Sequence, residues 1–302
     1  MSRKASAWVL GLAALAACAD KPAAAAGPSP APSPEPASTA PATPDNYAAF
    51  GAVLDRHQRM SARVARISRA LRVANAPLCK LTRADAGLSS HSLTDYPEQL
   101  HPLALHYLPL GADGRYVRAV VPDSPADRAG VRAGDRIVSG WPVSDSRPLV
   151  LDSGERMFRM KAEADTACAV PAYVVNSKEP NASTDGREVA LSTALLSEVG
   201  DDHALAFIIA HEMAHVIRGH DAPGWEAELE ADADALVLMR NAGFDVNNAV
   251  AGWEAGVEAH RDSQRESATH PPVAVRLRGL RRAQAALRVR CGAGAGPCPL
   301  AG

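Results

Sequence analysis

The stretch Ala206-Phe207-Ile208-Ile209-Ala210-His211-Glu212-Met213-Ala214-His215-Val216-Ile217-Arg218-Gly219-His220 constrains this chain more than any other. An apolar run leads into His-Glu-x-x-His. On a helix, two histidines four residues apart stand one turn above each other on one face, close enough to share a metal ion. Glu212 follows His211 by about 100° around the axis, so it can reach a water on such an ion without ligating it, as the general base of a zinc hydrolase must. The competing reading is a helix that merely carries two histidines. Leu205, Phe207, Ile208 and Ile209, which bury the helix ahead of the motif, weigh against it.

The chain has 302 residues, 47% of them hydrophobic, which suits two compact units plus tails. Its formal net charge of -2 offers no basic excess for neutralising phosphates, so nucleic acid is set aside as a partner.

The N-terminus reads as a targeting segment, residues 1–17. Arg3 and Lys4 form a charged start and Val9 to Ala17 a short apolar core of about nine residues, too few to span a bilayer. Leu15-Ala16-Ala17-Cys18 resembles a bacterial lipobox, which makes Cys18 the lipidated first residue of the mature chain; an ordinary cleaved signal peptide is the alternative. By resemblance to the sorting pattern of such lipoproteins, Ala19 after the Cys implies the outer membrane. The expected location is its periplasmic face, with contact to the membrane through the lipid anchor only. Residues 18–45, nearly all Pro, Ala, Ser and Thr beyond Lys21, cannot bury enough apolar surface to offset chain entropy and read as an extended tether.

Phe50, Val53, Leu54, Met60, Val64, Ile67 and Leu71 recur at helical spacing, which predicts one amphipathic helix from Tyr47 to about Ala74 within a segment 46–78 that joins the catalytic core. Its arginine row, Arg56, Arg59, Arg63, Arg66, Arg69 and Arg72, suits a solvated face, ion pairs with an acidic neighbour or an anionic membrane. Further on, Tyr116 to Val121 is strand-like, Ser124-Pro125-Ala126 caps and opens a short helix that Gly130 stops, and Gly134 to Val138 turns into another strand. The run Val121 to Val138 resembles a PDZ domain, whose Ser-Pro-Ala, Ala-Gly-Val and Gly-Asp-Arg-Ile elements it matches in order. The resemblance implies a site for an extended or C-terminal peptide added to a sheet edge. Leu108-Pro109-Leu110-Gly111 is the candidate carboxylate loop, and a spacer of the same fold is the alternative.

An exported chain meets an oxidising compartment, so its later cysteines are expected to pair: Cys79 with Cys168 and Cys291 with Cys298, one of three possible connectivities. The first bond would staple the points where the PDZ-like unit, residues 79–168, leaves and rejoins the chain. Beyond it come a strand candidate at Ala172 to Val175 and a hairpin from Asn181 to Ser192 around Asp185-Gly186. Asp201 or Asp202 then caps the motif helix.

A catalytic zinc takes three protein ligands and leaves one place for water. A ligand six residues after the second His lands on Asp221, but that pattern needs Gly where this chain has Arg218. His220 is expected to be solvent-facing or structural, because a continuing helix turns it off the face of His211 and His215. The next helix, opened by Pro223-Gly224 and closed near Gly243, carries Glu226, Glu228, Glu230, Asp232 and Asp234. Such a run suits a solvated face. Yet Glu228 and Asp232 are one turn apart, so Glu228 can bind zinc while Asp232 accepts the second N–H of a ligating histidine.

His211-Glu212-x-x-His215 followed by Glu228-x-x-x-Asp232 resembles the gluzincin family of the CAAX prenyl endopeptidase, HtpX and the periplasmic protease BepA. Asn181-Ala182, Thr193-Ala194-Leu195-Leu196 and Thr269-His270-Pro271 with Arg276 agree with it, so the likeness spans roughly Asn181 to Leu280. The resemblance implies that Glu228, rather than Glu230, is the third ligand, with Asp232 in support and Glu212 catalytic. It also implies His270 and Arg276 beside the cleft, as catalytic residues or as packing groups, and Asn181 and Ala182 against substrate.

The expected class is α+β. A mainly helical metallopeptidase domain with a small edge hairpin, residues 169–290, carries an inserted PDZ-like domain and a tail, residues 291–302. The expected activity is zinc-dependent cleavage of cell-envelope peptides or of unfolded and misassembled proteins. A PDZ-type peptide-binding lipoprotein or chaperone with a latent or structural zinc site is the alternative.

Overall fold

The computed structural model describes residues 44–144, 147–160, 164–222, 224–259, 271–292 and 296–300. The targeting segment, Cys18, most of the tether, Pro223 and His270 lie outside the described residues.

Helix α1 (Pro44–Ala74) buries Val64, Ile67 and Leu71, the C-terminal half of the stripe its periodicity predicts; Phe50, Leu54 and Met60 are half-buried, and Val53 is exposed. Four of its arginines are ion-paired: Arg63 and Arg66 reach Asp202 at 2.7 and 2.5 Å, Arg69 reaches Asp85 and Asp165, and Arg72 reaches Asp85 at 2.8 Å.

Strands β1 (Thr82–Asp85) and β7 (Asp165–Cys168) pair antiparallel, and a disulfide joins Cys79 to Cys168 beside them, with Cα atoms 5.6 Å apart. They form the stem from which a five-stranded antiparallel sheet projects. Its order is β2 (Leu88–His91), β3 (Arg115–Val120), β4 (Arg136–Ser139), β5 (Leu149–Asp152) and β6 (Met157–Met160). Helix α2 (His101–Tyr107) precedes β3. In α3 (Pro125–Arg128) the Ser124 hydroxyl accepts the N–H of Asp127 at 3.2 Å, and Gly130 ends the turn at φ 80°. Val117, Ala126, Val131, Leu149 and Leu151 close a small separate core.

The carboxylate-loop expectation for Leu108 to Gly111 needs revising. That segment leads into β3, an inner strand, and packs on Tyr116. The strand left at that edge is β2, preceded by Ala86 and Gly87. A peptide can add only where backbone groups are unpaired, at an edge.

The second unit starts with β8 (Ala172–Val175). Strands β9 (Ala182–Thr184) and β10 (Val189–Ser192) form the hairpin, with Asp185 Oδ1 accepting from Arg187 and Glu188 at 2.9 and 3.0 Å. The order is β8-β10-β9, β8 lying parallel to β10 and β9 at the edge. Among the described residues five helices follow: α4 (Thr193–Glu198), α5 (Asp202–Arg218), α6 (Trp225–Asn241), α7 (Val246–Ala259) and α8 (Val273–Cys291). One core runs through α1, the hairpin and all five of these helices. A second disulfide joins Cys291 to Cys298, Cα atoms 5.8 Å apart. Among the described residues no helix is long and apolar enough to cross a membrane.

Candidate metal centre

Helix α5 is anchored at its start by Asp201, whose Oδ1 accepts the N–H groups of His203 and Ala204 at 2.6 and 3.1 Å. Leu205 to Ala214 are buried without exception, so this part of the helix is encased rather than amphipathic, while His215 at the end of the motif keeps 11% of its side chain exposed. Ala210 and Ala214 on α5, and Ala231 and Ala235 on α6, are completely buried, and such short side chains let two helix backbones approach closely.

That approach brings three side chains together. His211 Nε2 lies 3.1 Å from His215 Nε2, Glu228 Oε2 lies 3.5 Å from His211 Nε2, and Glu228 Oε1 lies 3.4 Å from His215 Nε2. Tetrahedral zinc with ligand bonds of about 2.0–2.2 Å holds its donors about 3.3–3.6 Å apart. The two carboxylate separations fall in that range and the imidazole pair lies about 0.2 Å inside it, so two imidazoles and a carboxylate are close enough to share one such ion. Among the described residues these three form the one cluster able to hold a metal, and Asp221 is not part of it. Glu212 is fully buried on the same helix and is not a member of the ligand set, as a base rather than a ligand would be.

A buried frame surrounds the cluster. Asp232 Oδ1 stands 3.0 Å from His211 Nδ1, and Arg276 from α8 donates to both Asp232 oxygens at 2.8 and 2.5 Å. Arg276 Nη1 also lies 3.5 Å from Glu228 Oε2, and its side chain is 3% exposed. The guanidinium therefore bears on the two carboxylates. Burial alone would lower the His211 pKa, but hydrogen bonds to Asp232 and Glu228 outweigh it and hold the imidazole up at about 9. Burial would raise the Asp232 and Glu228 carboxyls; Arg276 and His211 for the first, and His211 and His215 for the second, pull both below the ordinary range.

His220 lies elsewhere than the sequence suggests. Helix α5 does not continue past Arg218: Gly219 takes the left-handed conformation, φ 75° and ψ 47°, and the N–H groups of Gly219 and His220 both close on His215 O, at 2.9 and 3.0 Å. The reversal swings His220 back over His215, ring centroids 5.0 Å apart, with Nδ1 facing Nδ1 at 2.9 Å. Its other nitrogen meets Glu230 Oε2 at 2.9 Å. The acidic run of α6 is thus solvated only in part: Glu226 is exposed. Glu228 and Asp232 serve the cluster, while Glu230 and Asp234 pair with Arg218, which reaches Glu230 Oε1 at 3.2 Å and Asp234 Oδ2 at 2.6 Å. The legible signal for this turn was Gly219 itself, a common helix terminator.

Asn181 and Ala182 lie at the edge strand β9, which packs on α5. Asn181 gives its N–H to Ser192 Oγ and its C=O to Ser192 N, both at 2.9 Å.

The sequence profile of Peptidase family M48 matches residues 152–226, and that of the PDZ domain matches residues 116–139. The peptidase match takes in His211, Glu212 and His215 and stops just short of Glu228. No curated protein and no solved structure matches the chain. The two matches support a metallopeptidase that carries a PDZ domain.

Proposed function

We propose that this chain is a zinc metalloendopeptidase that cleaves cell-envelope peptides or unfolded proteins. The observation that carries the reading is the convergence of His211, His215 and Glu228 at separations that suit one tetrahedral ion. A zinc ion there would supply Lewis acidity, polarising the scissile carbonyl and acidifying water. Glu212 takes the proton of the attacking water and passes it to the leaving amine, which its place beside the ligands on α5 allows. Asp232, fixed by Arg276 and 3.0 Å from His211 Nδ1, would keep a proton on that nitrogen so that Nε2, on losing its own proton, can give its lone pair to the metal. The edge strand near Asn181 to Thr184 would hold substrate backbone as an added strand.

Replacing Glu212 by Gln should leave zinc bound and cut cleavage of a reduced, unfolded protein by about 10²-fold or more. Full activity in Glu212→Gln would overturn the mechanism.

The rival reading, a peptide-binding lipoprotein with a structural zinc, draws on the β2 edge of the five-stranded sheet. Both readings expect bound metal. Proteolysis lost with a chelator and restored by zinc separates them. An exported, lipid-anchored location on the periplasmic side of the outer membrane belongs to the proposal through the Leu15 to Cys18 motif, and incorporation of labelled fatty acid that Cys18→Ala abolishes would test it.

A further inference from the structure

We infer that His220 and Glu230 form a second positioning pair, one that orients the ligand His215 as Asp232 and Arg276 orient His211. The inference rests on the metal reading above.

A histidine that offers Nε2 to a metal carries its proton on Nδ1, and whatever accepts that proton fixes the ring. For His215 the group in place is His220 Nδ1, 2.9 Å away. Two imidazole nitrogens at that distance need one donor and one acceptor. With His215 Nδ1 as donor, His220 Nδ1 must be the acceptor, so His220 carries its proton on Nε2. That nitrogen faces Glu230 Oε2 at 2.9 Å, a carboxylate that can only accept when ionised. One set of tautomers therefore satisfies every contact from Glu230 to the ligand, and it leaves His215 Nε2 with a free lone pair beside His211 Nε2 and Glu228.

The pair is itself held. Arg218 binds Glu230 at 3.2 Å and is locked from the other side by Asp234, whose side chain is 1% exposed. Gly219 supplies the reversal, and its positive φ strains any residue with a Cβ. His220 meets His215 at Nδ1 rather than at the ligating Nε2, and Glu230 meets His220, so both act through His215 and are positioning residues.

The test compares zinc affinity, by competition with a chromogenic chelator, and the visible spectrum of the cobalt-substituted full chain. His220→Leu keeps the bulk and removes both nitrogens; it should weaken zinc binding about 10- to 100-fold and alter the cobalt spectrum. His220→Gln keeps an acceptor and a donor and should recover most of that loss, which a residue acting only through packing would not require. Glu230→Gln should fall between them. Circular dichroism of the zinc-free variants controls for folding; should His220→Leu fail to fold, Glu230→Gln and His220→Gln carry the comparison. Wild-type affinity and an unchanged cobalt spectrum in His220→Leu or, failing that, in Glu230→Gln, or a His220→Gln no better than His220→Leu, would overturn the inference while leaving the peptidase reading intact. A wild-type chain that takes up neither zinc nor cobalt would instead remove that reading, and this inference with it.

Discussion

His211 and His215 stand one turn apart on the same helix face, yet different machinery holds them. On the inner flank Asp232 and Arg276 are 1% and 3% exposed, and their ion pair operates in a dry interior. On the outer flank the Glu230 side chain is 40% exposed and that of His220 13%, within reach of solvent and salt. Charge contacts strengthen as water is excluded, and so does the penalty for removing one partner. The inner flank should therefore govern whether the domain folds, and the outer flank only how well its metal site is shaped.

The comparison breaks first at Arg276. Arg276→Met keeps the stem but leaves Asp232 and Glu228 with an uncompensated buried charge, so unfolding in urea should show a loss of about 3–5 kcal/mol. A variant as stable as wild type would dissolve the distinction between the flanks.

Zinc affinity sharpens it next. Asp232→Asn and Glu230→Gln should each weaken binding, within the range of about 10- to 100-fold, with the Asp232 change the larger. Raising salt should shrink the Glu230→Gln effect, because its pair with Arg218 is partly exposed and the screening length falls from about 10 Å at 0.1 M to about 3 Å at 1 M. The Asp232 effect should persist. Equal salt dependence would mean that burial is not what separates the two.

A third ion-pair cluster sets the weak end of the scale. Asp202, at the start of α5 and 39% exposed, loses proton affinity because its hydrogen bonds to Arg63 and Arg66 outweigh the opposing effect of burial. A carboxyl depressed on folding adds stability above its unfolded pKa of about 3.9, and that stability is lost as pH falls through the lower folded value. Asp202→Asn should therefore cost no more than about 1 kcal/mol at pH 7 after solvent screening. The difference from wild type should shrink as the pH is lowered from about 4. A difference that grew in acid would reverse the assignment.

What the sequence made legible follows from what is local. The spacing of His211, Glu212 and His215, the Asp201 cap, the Asp185-Gly186 turn and the Ser124 cap each depend on a few neighbouring residues, and each takes its expected form. Pairing at a distance was harder. Nothing near Arg72 reveals that it meets Asp85 and the carbonyl of Cys168, and no periodicity announces that β8 runs parallel to β10. His220 shows how one residue redirects a reading. Helical continuation placed it off the ligand face, whereas the left-handed Gly219 stops the helix and returns it to His215. Asp232 was legible as a partner of a motif histidine from its helical offset, but the Arg276 that braces it comes from another helix and could be carried over only by resemblance.

Elemental analysis of metal bound to the purified full chain and to Glu228→Ala tests the central claim most directly. The account predicts a single equivalent of zinc per wild-type chain and a substoichiometric amount, easily stripped by dialysis against chelator, in the variant. Equal zinc in both, retained through the same dialysis, would contradict a site built from His211, His215 and Glu228.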